Sequence, residues 1–340
     1  MIVTVTPAPA IDWTVEVDSF ELGAVNRAVR SSREPSGKGV NISWALHRAG
    51  VPTRAVFPAG SDGGQLMDEA LSRAGIEHVI VDTGLDVRVN ITLITPGMST
   101  KINEAGSALS EEHTRLLRDA IIRASVDASV VLICGSLPAG APATFVRDMV
   151  RTLKASSAVD VVVDTSGDAL KLALEARPDL IKPNVHELGD LTGRRIATLG
   201  DVVDAAQVTR KQGAGTVLAS LGADGALLVD GDGVLYARAT GIPFVNSVGA
   251  GDALLAGFFG GGRTRQERLV TAVLWASSAV AHNTTLFPIR QDLAERIWIG
   301  ELRAPEKLLS EPSSALVRMS PSGPDRGSGP RAAGIGARES

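Results

Sequence analysis

Two runs of β-branched residues, Ser129 to Cys134 and Val159 to Asp164, restrict the folds open to this chain more than any other feature. Both are nearly continuous in apolar residues, whereas a half-exposed strand would alternate. Strands of this kind are covered on both faces, and the stretch between them is long enough for a helix. The combination requires parallel strands joined by crossover helices, with helices on both sides of one sheet. The same alternation recurs. Ile2 to Thr6, Arg54 to Ala59, His78 to Asp82, Leu180 to Pro183 and Thr216 to Ser220 read as further strands. Helical spacing marks Val40 to Ala49, closed by Gly50, then Gln65 to Ala74, Glu111 to Ser125, Val202 to Gln212, Ala253 to Phe259 and Thr271 to His282. Gly225 to Val229 and Val234 to Ala239 read as a hairpin around Asp230, Gly231 and Asp232.

Val87 to Thr95 behaves differently. Val87, Val89 and Ile91 fall on one side, and Arg88, Asn90 and Thr92 on the other, which suits a half-exposed strand. Segments at about 12–35 and 86–105 are therefore expected to form a small accessory sheet inserted into one domain spanning 1–305. Residues 306–340 read as a C-terminal extension that is mostly flexible tail, because SEPSS and SPSGPDRGSGP offer little to bury.

Composition narrows the partners. Hydrophobic residues are 44% and charged residues 21% of the chain, as in soluble globular proteins. The formal charge is -4, with no basic stripe to hold phosphate backbones, so no nucleic acid is expected. The apolar runs are too short to cross a bilayer and the start lacks a signal-peptide pattern, so no membrane association and a cytoplasmic location are expected. Cys134 is the only cysteine, which excludes an intrachain disulfide.

Four strings carry chemistry. In SVGAGDALLAGFF, the small residues Gly249, Ala250 and Gly251 can aim successive backbone N–H groups into one space just before a helix. Asp252, where that helix starts, could take a proton from an attacking hydroxyl; it could equally be a helix cap. In KPNVHEL, Asn184 and Glu187 are spaced to face one side of a first turn. They could orient water around a magnesium ion held mainly by nucleotide phosphates, or form a capping box, and the two are compatible. In SLGADGA, Gly222 and Gly225 would admit a ligand close to the backbone or simply make a tight turn. In SGKGVN, Lys38 lies between glycines and Asn41 follows at a helix start. With Asp12, Arg88, Asn90 and Ser136 these groups could recognise a polyol and an existing phosphate. Neither a P-loop nor the dinucleotide glycine pattern is present.

Taken together, TPAPAID, FELGAVNRA, SGKGVNISWALHRAG, VRVNITL, KINEAG, GSLPAG, KPNVHEL, SLGADGA and GAGDALLAG resemble the motifs of the ribokinase-like carbohydrate kinases of the PfkB family. The similarity is to the phosphosugar branch that holds 1-phosphofructokinase and tagatose-6-phosphate kinase, and it covers roughly residues 1–300. The resemblance implies a three-layer, Rossmann-like sandwich with a small β-sheet lid, and an ATP-dependent kinase using Mg2+, with room for a monovalent cation. It makes Asp252 the base and Gly249, Ala250 and Gly251 the anion hole, with the N–H groups after Ser247 contributing. Lys182, Asn184 and Glu187 become the magnesium- and phosphate-associated motif, the metal contacts of Asn184 and Glu187 running through water. Ser220, Gly222 and Gly225 then line the nucleotide, and Asn283 matches a position beside adenine.

On the acceptor side the resemblance implies sugar contacts from Asp12, Gly39, Asn41, Asn90 and Ser136, and phosphate contacts from Arg27, Lys38 and Arg88. It points to D-fructose 1-phosphate as acceptor, with tagatose 6-phosphate, fructose 6-phosphate or another sugar as alternatives, and to a homodimer formed through the lid. A sensing protein that binds sugar or nucleotide without transfer is the alternative of a different class. Three positions depart from the family pattern: Ala8 replaces Asn, Ser36 replaces a common Gly, and Lys101 stands where Glu is frequent.

Overall fold

The structure, a computed structural model, describes residues 1–156, 158–282, 284 and 286–313. Its strands are β1 (Ile2–Val5), β2 (Ala10–Glu16), β3 (Arg30–Ser36), β4 (Thr53–Ala59), β5 (Glu77–Asp82), β6 (Arg88–Thr95), β7 (Met98–Asn103), β8 (Val130–Cys134), β9 (Asp160–Asp164), β10 (Leu180–Ile181), β11 (Thr216–Ser220), β12 (Ala226–Asp230), β13 (Gly233–Ala239) and β14 (Ile297–Gly300). The helices are α1 (Lys38–Arg48), α2 (Ser61–Ala74), α3 (Glu111–Ala124), α4 (Phe145–Ser156), α5 (Gly167–Leu174), α6 (Val185–Thr192), α7 (Leu199–Gln212), α8 (Ala250–Gly260) and α9 (Arg265–Val280).

Ten strands form one sheet in the order β14-β13-β12-β11-β10-β9-β8-β1-β4-β5. It is parallel from β11 to β5, and the last three strands add antiparallel. From β1 the chain first winds outward to β4 and β5, then restarts on the other side at β8. Such a reversal is where α/β sheets bind ligands, in the crevice beyond the C-terminal ends of the strands.

Alternate residues of the buried strands feed two helix layers. Val3, Val131, Ile133, Val161 and Val163 pack with the layer that includes Leu117, Met149 and Val202. Ile2, Leu132, Cys134 and Val162 pack with Ile42, Leu255 and Trp275 on the opposite face. Burying a side chain such as Leu132 fully contributes about 1.5–3 kcal/mol, so the strand pattern fixes the sandwich. Gly257 lets α8 and α9 meet: a Cβ there would lie 2.7 Å from the Thr271 carbonyl oxygen.

Local chemistry sets the helix ends. Ser110 accepts a hydrogen bond from the His113 N–H at the start of α3, and Glu111 and Glu112 suit the positive end of its dipole. Leu117 and Ile121, one turn apart, then bury its inner face. Helix α9 begins earlier than the apolar run at Thr271 suggests, because Thr264 and Glu267 form a capping box upstream. The sequence gives α4, α5 and β14 only weakly, and β10 is shorter than expected, its role passing to the KPN turn.

A separate four-stranded sheet, β3-β2-β6-β7, forms from the segments expected to make the accessory sheet. Its register pairs Asp12 with both Glu34 and Asn90, so these three side chains share one face. Phe20, Leu22, Val25, Met98 and Ile102 of the same unit are exposed.

Residues 306–313, assigned above to the extension, are docked. The Gly200 N–H donates to the Pro305 carbonyl at 2.7 Å, Leu199 to Lys307 at 3.0 Å, Leu309 to Ala197 at 2.9 Å and Ser313 to Ile196 at 2.9 Å. The extension is thus not tail from its first residue. Among the described residues no helix is long and apolar enough to cross a membrane.

Candidate active site

The crevice collects the residues that end the parallel strands. Asp164 closes β9, Lys182 follows β10 and Ser220 closes β11. Gly39 starts α1 directly beneath β1, since a Cβ would lie 2.5 Å from Thr6 Oγ1 and 2.9 Å from the Val5 oxygen. That close approach delivers Lys38 and Asn41 to the same edge.

Asp164 is the hub. It is fully buried, and Lys38 Nζ lies 2.9 Å from Oδ1 while Lys182 Nζ lies 3.2 Å from Oδ2. Burial pushes its pKa up, but Lys182 and then Lys38 outweigh this and hold it below the ordinary carboxylate value. Burial likewise opposes the charge on Lys38, yet Asp164 and then Asp252 raise its pKa well above normal. The Lys38 ammonium is therefore held as a cation.

Asp252 sits in the first turn of α8 and is 8% exposed. Asn41 Nδ2 donates to its Oδ2 at 2.9 Å. Burial foremost, and the charge of Asp164 second, raise its pKa to about 6, against the pull of Lys38, Asn41 and Lys182. The helix-cap alternative fails: Gly249, in the left-handed conformation at φ 76°, is the N-cap and carries no side chain to cover the first-turn N–H groups. A carboxylate poised near neutrality beside a helix start that no side chain caps can accept a proton while first-turn donors receive negative charge; of these, the Ala250 N–H makes a long bond of 3.4 Å to the Ser247 carbonyl. A Cβ on Gly251 would lie 3.3 Å from Lys182 Nζ, so the side chain paired with Asp164 also flanks this turn.

The residues expected above to face a nucleotide form a second cluster. Asn184 and Glu187 make the capping box: Asn184 Oδ1 accepts from the Glu187 N–H at 2.9 Å, and Glu187 Oε2 accepts from the Asn184 N–H at 2.8 Å. Glu187 Oε1 and Asn184 Nδ2 lie outside that pair and could orient metal-bound water. No group of three or more His, Cys, Asp or Glu able to hold a metal occurs among the described residues. Asn184 pairs with Ser220, bringing the KPN turn alongside the 220–225 turn. Gly225 is required by packing, its Cβ position lying 2.2 Å from the Ala237 oxygen, whereas Gly222 is exposed at φ 57°.

On the accessory sheet, Ser36 Oγ donates to Asp12 Oδ2 at 2.8 Å and Asn90 Nδ2 to Oδ1 at 3.1 Å. Glu34 lies opposite Asp12, and burial followed by that neighbour raises its pKa, partly offset by His282. Arg88 reaches the Ala8 carbonyl at 3.4 Å, and its buried Nε has no hydrogen-bond partner. Asn41 Oδ1 is also buried without one. An unpaired donor on the acceptor side and an unpaired acceptor beside Asp252 are both suited to ligand atoms.

The structure does not unite every expected residue. Lys38, read as a phosphate contact, is paired with Asp164 in this structure. Arg27, Ser136 and Ser247 are exposed, and Ser247 meets the Asp252 turn through its carbonyl, which accepts from the Ala250 N–H at 3.4 Å. Asn283 lies outside the described residues. Conversely, the sequence reading misses Asp164, Glu34 and Ser36 as site residues. Asp164 had one signal: a carboxylate ending a wholly apolar strand must be paired.

The 1-phosphofructokinase of Bacillus subtilis is 35% identical over 261 residues, covering 77% of this chain and 85% of the relative. That of Haloferax volcanii is 34% identical over 297 residues, covering 86% and 95%. The crystal structure of phosphofructokinase-2 from Escherichia coli in complex with potassium superposes with a TM-score of 0.81 at 26% identity, covering 87% of this chain and 97% of that one. The description "pfkB family carbohydrate kinase" fits residues 3–285, and the chain belongs to that family.

Proposed function

We propose that the protein transfers the γ-phosphoryl group of ATP to the C6 hydroxyl of D-fructose 1-phosphate, giving D-fructose 1,6-bisphosphate and ADP. Asp252 takes the hydroxyl proton, the acceptor oxygen bonds to the γ-phosphorus, and the bond from that phosphorus to the ADP oxygen breaks. The N–H groups of residues 249–251 and the Lys182 ammonium receive the charge on the moving group. Asp12, set by Ser36 and Asn90, orients sugar hydroxyls, while Arg88 meets the acceptor's phosphate. Asn184 and Glu187 would hold a magnesium ion through its water shell, and the ion would supply positive charge to offset that of the nucleotide phosphates. A monovalent cation, as in the potassium complex of the Escherichia coli phosphofructokinase-2, is a further candidate ligand. The reaction belongs to the cytoplasm, where ATP is plentiful.

The observation that carries this reading is the buried Asp252 carboxylate, near-neutral in pKa, held by Asn41 and bracketed by the two lysines paired with Asp164. Fructose 1-phosphate is preferred over its isomers because the relatives above are 1-phosphofructokinases. The test is kcat/KM for fructose 1-phosphate, fructose 6-phosphate, tagatose 6-phosphate and unphosphorylated fructose. Fructose 1-phosphate should lead by at least tenfold. A lead for the neutral sugar overturns the phosphosugar assignment, and nucleotide binding without transfer to any of them supports a sensor.

The accessory sheet supports a homodimer. Leu22 is 91% exposed and Met98 73%, and Phe20, Val25 and Ile102 lie bare on the same unit. A second copy covering this sheet would remove that apolar surface from water.

A further inference from the structure

The segment 305–313 is tied into the protein at two places that both belong to the donor side of the crevice. Its backbone runs beside Ile196 to Gly200, ahead of and within the start of α7, through the four hydrogen bonds given above. Small residues make room for it. A Cβ on Gly200 would lie 3.1 Å from the Pro305 oxygen, and one on Gly189, in α6, 3.3 Å from Ser313 Cβ. Ser313 Oγ also accepts from the Ile196 N–H at 2.8 Å. Helix α6 is the helix whose cap is Asn184 and Glu187.

The second attachment is to the turn after β11. Asp224, in the short helical turn Gly222–Asp224, is 4% exposed. Lys307 Nζ lies 2.7 Å from Oδ1, and the Ser310 N–H donates to Oδ2 at 2.6 Å. Tyr236 donates its hydroxyl to the Asp224 carbonyl at 2.7 Å, fixing the backbone of the same residue. Burial would raise the Asp224 pKa, but Lys307 and Ser310 overcome it and keep the carboxylate charged. Beyond Ser310, the Glu311 carboxylate stands over the exposed Gly222, its Oε2 3.5 Å from where a Cβ would be.

We propose that residues 305–313 form a strap that sets nucleotide affinity: Lys307 and Ser310 brace the 220–225 turn through Asp224, and Glu311 holds a carboxylate over Gly222 that an approaching polyphosphate must displace. Lys307 and Ser310 are positioning residues, acting through Asp224, while Glu311 acts through charge at the face of the turn. The two parts oppose one another. Loosening the brace weakens nucleotide binding, and removing the carboxylate strengthens it. The inference rests on the donor-side assignment of residues 220–225 in the proposed function, and not on which sugar is the acceptor.

The experiment measures the Kd of MgADP by titration calorimetry on the full chain, alongside the KM of the best acceptor. Glu311→Gln should tighten MgADP at least threefold, and Lys307→Met should weaken it at least fivefold, with Lys307→Arg restoring most of the loss. Acceptor KM should stay within twofold in all three. If Lys307→Met fails to fold, Glu311→Gln decides the matter, because its side chain is not part of the Asp224 brace. Unchanged or weakened binding in Glu311→Gln, or equal shifts in acceptor KM and MgADP Kd, overturns the strap. Failure of the parent protein to bind MgADP would instead overturn the donor-side assignment.

Discussion

Replacing Asp252 with asparagine should stop turnover and make the protein harder to unfold. The carboxyl pKa rises from 3.8 to about 6 on folding, chiefly through burial and then through Asp164. A raised carboxylate pKa means that the folded state favours the protonated form, so keeping the group ionised costs stability. At 1.36 kcal/mol per pKa unit, the cost is about 3 kcal/mol once the pH is well above 6. It shrinks as pH falls through 6, is about half as large at pH 5, and disappears below the unfolded-state value. Asparagine has nearly the same shape, can still accept from Asn41 and carries no charge. Urea unfolding of parent and Asp252→Asn at pH 8 and pH 5 should therefore show a stabilising increment near 3 kcal/mol that falls by about half at the lower pH. Turnover should drop by roughly two to four orders of magnitude, the usual scale for losing a general base. In the ligand-free parent, a difference titration against the variant should show one extra proton taken up with a midpoint near 6. A variant no more stable than its parent at pH 8, or an increment independent of pH, would refute the electrostatic account of the site.

Asp164→Asn should destabilise the fold by about 3–5 kcal/mol, because it leaves the buried Lys182 without its carboxylate; a loss under about 1 kcal/mol in urea unfolding would show that the lysines find other partners. Ile102→Glu on the accessory sheet should convert a dimer to a monomer in sedimentation velocity; a parent protein that is already monomeric would exclude the lid interface. The acceptor series and the strap variants described above complete the set.

The parallel core was legible because its strands are covered on both faces, and double burial leaves an uninterrupted apolar run such as Val161 to Val163. Asp252, Asn41, Asn184 and Glu187 were legible because each sits at a helix start, where local geometry is set by a few neighbours. Two kinds of feature escaped. Asp164 ends its strand like any other polar residue, and only the fold brings it against Lys38 and Lys182, both distant in sequence. The 305–313 segment docks mainly by backbone hydrogen bonds, which any residue types can make, so its composition still resembles a tail. The same limit applies to Ser36. Its hydroxyl became interpretable once β2 and β3 were paired in register against Asp12.

Cys134 closes β8 with no exposure to solvent, and burial above all, then Asp164, pushes its thiol pKa well above the ordinary value. Such a sulfur is almost wholly protonated and cannot meet a reagent without the surrounding core parting. The protein therefore carries one internal clock. The rate at which a thiol-reactive dye labels it would count openings of the structure beneath the crevice, with no second cysteine to blur the signal.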